Sequence, residues 1–198
     1  MKAITLLTTS EKKRKGFEKV LSKYNIGVEI SDIWIPEIQA DNNADIAKFS
    51  AQFGANLLNR PVVKVDTGFY IEELSGFPGP LVKYVDEKIG AELFFEIIKK
   101  LKNRSASINC ALAYCEPKKE PIMFEGGCKG TILNKLPQNN DGFIDRLFIP
   151  SHPANKNKLT IGDIRRKDYN QFLEIWGNVE EEFAKWYTSR SIKNIING

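Results

Sequence analysis

Residues 61–69 read Pro61-Val62-Val63-Lys64-Val65-Asp66-Thr67-Gly68-Phe69. The nearly continuous apolar run from Val62 to Asp66 predicts a strand that is covered on both faces and lies centrally in a sheet. A carboxylate that closes such a strand and enters a glycine turn rarely serves packing, so Asp66 is a candidate site residue. A turn-capping role for Asp66, through Thr67 and Gly68, is the alternative that the turn preference of aspartate also favours.

Apolar periodicity outside this stretch predicts alternating strands and helices. The other predicted strands are Ala3 to Leu7, Val28 to Trp34, Ser105 to Cys115, Pro121 to Phe124 and Phe143 to Ile149. One predicted helix begins near Glu11 and ends near Asn25, and the others are Asp45 to Leu58, Leu81 to Ile89, Ala91 to Leu101 and Lys167 to Tyr187. Loops are predicted for Asn134 to Asp141 and Ser151 to Lys158, and fraying for Ser189 to Gly198.

The composition favours one globular α/β domain over residues 1–198. Hydrophobic residues make up 42% of the chain, which is enough for one sizeable core, and no repeat or linker divides it. Cys110, Cys115 and Cys128 lack CxxC spacing and His152 is the single histidine, so buried thiols are expected rather than zinc, disulfides or a Cys/His nucleophile. No signal peptide or membrane span is expected, and a reducing cytoplasmic location follows as the default.

The charge distribution points to a small anionic ligand. The net charge is +4, and the basic residues are dispersed among acids. The richest basic cluster, Lys12-Lys13-Arg14-Lys15, is short for a nucleic-acid surface, so nucleic acid is not the expected partner.

The segment after the first predicted strand has the layout of a phosphate-binding site. Thr8, Thr9 and Ser10 offer hydroxyls and backbone amides at a helix N-terminus, and Lys13 is within reach. The segment lacks the glycines of a P-loop. An ordinary helix capped by threonine or serine, with solvated lysines, is the alternative interpretation.

Glu37, which follows Ile35 and Pro36, and Asp66 are candidates for a hard-cation site. Mg²⁺ bound to a nucleotide takes one or two protein carboxylates, and phosphate oxygens and waters complete the octahedron. A carboxylate beside such a metal can also accept a proton from an attacking water. Taken alone, Glu37 is slightly better explained as a loop acid in solvent.

Two later segments suit contacts with a nucleotide. Phe143 and Asp145 pair an aromatic ring with a carboxylate, which fits stacking on a base and accepting hydrogen bonds from its edge, although a structural turn is equally plausible. Arg165 and Arg166 suit phosphate contacts, although a solvated helix start is the commoner environment of such a run. The glycine-rich stretch Glu125 to Gly130 predicts a hairpin or bulge.

Together these segments resemble the inosine triphosphate pyrophosphatase family, which hydrolyses non-canonical purine nucleoside triphosphates to monophosphate and pyrophosphate. The resemblance spans Ile4 to Ile175 and is strongest in Val65 to Phe69 and in Gly76-Phe77-Pro78-Gly79-Pro80. The other similar segments are Thr8 to Lys13 with the family's phosphate loop, Ile35-Pro36-Glu37 with its metal segment, and Gly142 to Asp145 with its base-recognition segment, one residue shorter.

The resemblance implies a fold, a chemistry and a set of site residues. The implied fold is an α/β fold with an elongated central mixed sheet, whose flanking helices form two lobes around a nucleotide cleft, usually in a homodimer. The implied substrate is a nucleoside triphosphate and the implied cofactor is Mg²⁺. The implied roles are metal binding by Glu37 and Asp66, water activation by Asp66, and substrate binding by Thr8, Thr9, Ser10, Lys13, Phe143 and Asp145, with Arg165 and Arg166 replacing missing phosphate contacts.

Three departures from the family pattern leave two functions open. Val65 stands where the family has a second acid, Gly54 where its helix has a lysine, and its Ser-His-Arg segment has no counterpart. Each lost charge-assisted contact is worth about 1.5–3 kcal/mol. The chain is therefore either a divergent enzyme or a degenerate member that binds a nucleotide or a protein partner without turnover.

Overall fold

The computed structural model describes residues 3–138 and 141–196, with side chains described as far as residue 190. None of the helices in these ranges has the length and apolar character needed to cross a membrane. The elements are β1 (Ile4–Leu7), α1 (Glu11–Ser22), β2 (Val28–Ser31), α2 (Asn43–Leu58), β3 (Val62–Ile71), β4 (Pro78–Gly79), α3 (Val82–Lys88), α4 (Ala91–Ile98), β5 (Ser105–Cys115), β6 (Ile122–Ile132), α5 (Phe143–Leu147), β7 (Phe148–Pro150), α6 (Ile161–Lys167), α7 (Tyr169–Trp176) and α8 (Val179–Ile196).

The strands form one seven-stranded mixed sheet in the order β2-β1-β3-β5-β6-β7, with β4 paired to β3. β1 runs parallel to β2 and β3, whereas the β3-β5, β5-β6 and β6-β7 pairs are antiparallel. β1 meets β3 only at Val62 and Val63, so most of β3 extends beyond the end of β1. The predicted mixed sheet with flanking helices is confirmed, and the end of β1 leaves a crevice along β3.

β3 continues through Asp66 to Ile71, so the prediction that it ends at Asp66 is wrong. Thr67 and Gly68 stay in register with Cys110 and Asn109 of β5. Pairing along the whole of β5 outweighs the local turn preference of Thr-Gly. Asp66 therefore projects from the middle of a strand, and no turn follows it.

Two other strand predictions are corrected by the same long ladder. β6 runs to Ile132, so the predicted hairpin or bulge at Glu125 to Gly130 is wrong, and each of these residues pairs with β5. β2 ends at Ser31, three residues before the predicted end at Trp34, because its only partner β1 ends opposite that residue.

The prediction of one helix from Lys167 to Tyr187 is wrong, because this stretch holds the last residue of α6 and two further helices, α7 and α8. The Asp168 side chain caps α7 by accepting hydrogen bonds from two backbone amides, and Gly177 ends it with a φ of 93°. A Cβ at Gly177 would lie 2.7 Å from the backbone nitrogen of Gly127. The chain therefore needs this glycine where α7 and α8 meet β6.

Two more predicted elements differ from the structure, and a third prediction is only partly covered by the described residues. Residues from Phe143 form the short helix α5 before the three-residue strand β7, rather than one strand to Ile149. α8 continues to Ile196, where fraying from Ser189 was predicted, and residues 197 and 198 lie outside the described residues. Within the predicted loop Asn134 to Asp141, residues 139 and 140 also lie outside them.

Alternating residues of β3 enter two apolar clusters. Val63 and Val65 join the larger cluster, whose fully buried rings include those of Phe17 and Phe183. Val62 joins the smaller cluster, where α2 packs through Ala47, Ala51 and Ala55 against Leu7. α2 thus fully buries small side chains, whereas Leu57 on the same helix is 59% exposed.

Candidate functional site

A cleft with a volume of ≈ 360 Å³ lies beside the end of β1. Four predicted site residues line it: Thr8, Thr9, Glu37 and Asp66. Lys64, which the sequence did not single out, lines it as well. Crevices at the carboxyl ends of parallel strands, where the connections diverge, are the usual ligand sites of open α/β sheets.

The alternation of side chains along β3 selects which residues reach the cleft. Lys64 and Asp66 are two positions apart and therefore share one face of the sheet, the face that α2 covers. Val65 points the other way, into the larger core, and is 6% exposed. The spacing of two between a lysine and a candidate acid was the sequence signal that could have identified Lys64.

Asp66 lies against the ammonium of Lys13. The Lys13 Nζ atom is 3.5 Å from Asp66 Oδ1 and donates a hydrogen bond of 3.0 Å to the carbonyl of Val65. Burial raises the pKa of the Asp66 carboxyl, and the charges of Lys13 and Lys64 oppose this rise. A carboxylate with a raised pKa is a stronger proton acceptor, so Asp66 suits water activation.

Glu37 is exposed, but its carboxylate accepts a hydrogen bond from a residue outside the cleft lining. The Tyr84 hydroxyl of α3 donates a hydrogen bond to Glu37 Oε2. Glu37 is therefore exposed to solvent, as a solvated loop acid would be. The hydrogen bond from Tyr84, which that interpretation does not include, orients its carboxylate. Tyr84 had no sequence signal, because its contact joins segments that are far apart in the chain.

The cleft offers carboxylates that could share a magnesium ion with ligands from outside the protein. Glu37 and Asp66 line the same cleft, and Asp32 lines it as well. The described part of the chain has no group of three or more His, Cys, Asp or Glu side chains suited to hold a metal ion. Mg²⁺ usually takes one or two carboxylates together with phosphate oxygens and waters, and Glu37 and Asp66 can supply two of them.

The structure agrees in part with both interpretations of Thr8, Thr9 and Ser10, as a helix cap and as a phosphate-binding segment. Ser10 caps α1 by accepting a hydrogen bond of 3.3 Å from the backbone amide of Lys13, and Thr8 Oγ1 accepts one of 3.0 Å from the amide of Ser10. Thr8 and Thr9 also line the cleft. A second cavity of ≈ 430 Å³ adjoins these residues and includes Ser10 and Arg14.

Asp145 is joined to the same end of α1. It is 7% exposed, accepts a hydrogen bond of 2.6 Å from Arg165 Nη1, and forms an ion pair with Lys12. Lys12 and Lys13 are consecutive, so the first turn of α1 contacts Asp145 through one lysine and Asp66 through the next. The structure thus brings Asp145 and Arg165 to the neighbourhood of the cleft.

Two predicted substrate-binding residues lie elsewhere. Phe143 is 1% exposed, and its ring packs edge-on against Phe69 and Phe94 at 5.6 and 4.8 Å. This burial leaves no free face for stacking on a base and contradicts the predicted role of Phe143. Arg166 pairs with Asp141 and, at 2.7 Å, with Asp163, away from the cleft lining.

Asn43 fixes the start of α2 to the site and was also missed. Its side-chain amide donates to the carbonyls of Asp66 and Asn109 at 3.2 and 3.3 Å, and its oxygen accepts a bond of 2.9 Å from the Tyr70 hydroxyl. These contacts hold α2 beside Asp66. A helix-start asparagine has no sequence signal for such tertiary bonds.

Known protein sequences are similar to this chain over nearly its whole length. The sequence model of the Ham1 family matches residues 4–174. The dITP/XTP pyrophosphatase of Methanosarcina acetivorans is 31% identical over 192 residues, covering 96% of this chain and 100% of that protein. The dITP/XTP pyrophosphatase of Methanopyrus kandleri is 38% identical over 134 residues (67% and 71%), and an inosine triphosphate pyrophosphatase of Puccinia graminis f. sp. tritici is 30% identical over 152 residues (73% and 78%).

Solved structures show the same fold at lower sequence identity. A HAM1 protein from Coxiella burnetii superimposes with a TM-score of 0.75 at 19% identity, covering 98% of this chain and 100% of that one. The Ham1 protein of Staphylococcus aureus gives a TM-score of 0.74 at 18% identity, covering 96% and 100%. These likenesses confirm the arrangement of sheet and helices described above.

Proposed function

This chain belongs to the Ham1 family, and from that membership we propose that its cleft hydrolyses a non-canonical purine nucleoside triphosphate to the monophosphate and pyrophosphate. The names of its relatives, dITP/XTP and inosine triphosphate pyrophosphatases, support this activity and the resemblance stated from the sequence. The observation that carries the proposal is the convergence of Thr8, Glu37, Lys64 and Asp66 on one cleft, with Lys13 beside Asp66.

The chain's own groups divide between binding and proton transfer. Lys13 and the amides at the start of α1 bind phosphate oxygens. Asp66 orients a water and accepts its proton as the water oxygen bonds to phosphorus and the bond to the leaving pyrophosphate breaks. The raised pKa of Asp66 matches this task, since burial makes its carboxylate a better base.

We propose Mg²⁺ as the cofactor, held by Glu37 and Asp66. When bound, it supplies positive charge to the phosphate oxygens. The hydrogen bond from the Tyr84 hydroxyl fixes the orientation of the Glu37 carboxylate. Asp145 is the proposed contact for the base, and Arg165 is favoured over Arg166 as an added contact because Arg165 shares Asp145 with Lys12.

The activity is tested by measuring pyrophosphate and phosphate release from dITP, XTP, ITP, GTP and ATP with magnesium. Asp66→Asn removes the proton acceptor and is expected to lower kcat by about 10²–10⁴-fold. Asp41→Asn is the matched control, since it makes the same change at an exposed residue outside the cleft lining. Full activity of Asp66→Asn would contradict the proposed mechanism.

Nucleotide binding without turnover is the second candidate. It is favoured by Val65, which is buried in the core, and by Gly54, where a Cβ would lie 2.4 Å from Leu7 Cδ1, so neither position offers a polar group to the ligand. In this case nucleotides raise the melting temperature while no pyrophosphate is released. Any turnover that Asp66→Asn abolishes excludes this candidate.

We also propose that the protein is a homodimer. An apolar surface of α3, α4 and the preceding turn is exposed, and large exposed apolar patches are typical of interaction sites. The second copy of the chain is the proposed occupant, as the family resemblance implies. The exposed residues are Phe77 (43%), Leu81 (50%), Tyr84 (48%), Ile89 (37%), Leu93 (59%) and Ile97 (53%).

A further inference from the structure

Lys64 belongs to β3 and lines the cleft. Its stem leaves the strand on the face that α2 covers, and the side chain is partly buried. α2 forms part of the cleft lining through Ile46 and Ser50 and contributes no charged group to it. The positive charge on this side of the cleft therefore comes from the strand.

The ammonium of Lys64 differs from its neighbours in its ion pairing. Lys12 pairs with Asp145 and Lys13 with Asp66, whereas Lys64 forms no ion pair with the side chains that the structure describes, those of residues 3–138 and 141–190. A partly buried, unpaired ammonium is costly, and an anion beside it reduces that cost.

We propose that Lys64 is a phosphate-binding residue of the cleft, which together with Lys13 holds the phosphate chain of the ligand. Phosphate oxygens suit an ammonium ion in the cleft lining together with a second one, that of Lys13, which lies 3.5 Å from Asp66 of the same lining. This inference rests on the proposed function only in taking the ligand to be a nucleotide. The binding of a phosphate chain by Lys64 does not depend on it. Lys64 is thus a binding residue and takes no part in proton transfer.

The test measures binding of inorganic pyrophosphate to the full chain by calorimetry, with and without magnesium. Lys64→Met is expected to raise Kd by about 10- to 100-fold, the loss of one charge-assisted contact, while Lys64→Arg keeps most of the affinity. Lys48→Met is the matched control, because it removes the same charge from a lysine of α2 whose side chain is 50% exposed. The salt dependence of pyrophosphate binding also becomes weaker in Lys64→Met.

Stability separates binding from folding. Lys64→Met removes an unpaired ammonium, so its melting temperature without ligand is expected to equal or exceed that of the wild type. The proposal is overturned if Lys64→Met binds pyrophosphate as tightly as Lys48→Met, or if the wild type does not bind it. Should Lys64→Met lose its fold, Lys64→Gln and Lys64→Arg take its place, and equal Kd values for these two overturn the proposal.

The outcomes also distinguish this inference from the proposed function. Binding of pyrophosphate that depends on Lys64, without nucleotide hydrolysis by the wild type, supports the inference and contradicts the activity. Hydrolysis by the wild type, with pyrophosphate binding that does not depend on Lys64, supports the activity and overturns the inference.

Discussion

Glu180 lies in the first turn of α8, and its Oε2 atom is buried with no hydrogen-bond partner among the residues that the structure describes. Burial raises the pKa of its carboxyl. A hydrogen bond from its own backbone amide and the charge of Lys13 lower this pKa, but by less. When folding raises the pKa of an acid, the resulting contribution to stability is fully present below the pKa of the unfolded chain. For a free glutamate this pKa is 4.5. That contribution is lost as the pH rises through the folded pKa.

Glu180→Gln is therefore expected to stabilise the protein at pH 8 and to leave its stability unchanged near pH 4. The expected gain at pH 8 is about 1–3 kcal/mol, because the variant avoids the cost of either burying the Glu180 charge or protonating its carboxyl on folding. Urea denaturation at several pH values measures it. Glu182→Gln, at an exposed position of the same helix, serves as the control and should show no such pH dependence. A variant no more stable than the wild type at pH 8 contradicts this account.

Single residues were predictable where the signal was local. Thr8, Thr9, Glu37 and Asp66 were found from strand ends and loop acids, and they share a cleft. Phe143 was misassigned because only the tertiary structure shows that two other rings cover it. Lys64 was missed because a lysine in an apolar strand is normally taken as an edge or solvated residue, although its spacing of two from Asp66 places both side chains on one face of the sheet.

The helix break at Gly177 gives a prediction at the scale of elements. Its positive φ and its close approach to Gly127 both exclude a side chain. Gly177→Ala is expected to lower the free energy of unfolding by about 2–4 kcal/mol, from backbone strain together with overpacking against β6.

Gly76→Ala isolates the backbone part of this cost. Gly76 has nearly the same φ as Gly177, 92° against 93°, but a Cβ there would meet only the Cδ1 atom of Tyr70, at an ordinary contact distance of 3.6 Å. Its loss of stability should therefore be smaller than that of Gly177→Ala by about 1 kcal/mol or more. Equal losses in urea denaturation would show that contact with β6 is not what requires glycine at position 177.

Elements were predictable where periodicity was strong. β5 has the predicted bounds, Ser105 to Cys115, and β1, α1 and α4 lie within one to three residues of theirs. β3 and β6 are longer than predicted because pairing with β5 keeps their glycines extended, which no local pattern reveals. The C-terminal helices were merged because an apolar face continues across Asp168 and Gly177, which form the caps between them.

At the scale of the whole molecule, the exposed face of α3 and α4 predicts association. Leu93→Glu is expected to convert the proposed dimer into a monomer of 22.5 kDa, because a carboxylate in an apolar interface loses its hydration. Light scattering after size exclusion measures the mass. Leu57→Glu is the matched control, since both leucines are 59% exposed and Leu57 lies on α2. A monomeric wild type, or a variant that remains dimeric, contradicts the prediction.

The larger core joins α1 to α8, and the rings of Phe17 and Phe183 stack with centroids 6.0 Å apart. During synthesis at about 5–20 residues per second, α1 leaves the ribosome roughly 8–30 s before the partner ring that covers it. Throughout that interval the apolar face of α1, with Val20 and Leu21 beside Phe17, has no partner in α8. We therefore expect a chain that is released before α8 is made to keep that face uncovered and to aggregate more readily than the full chain.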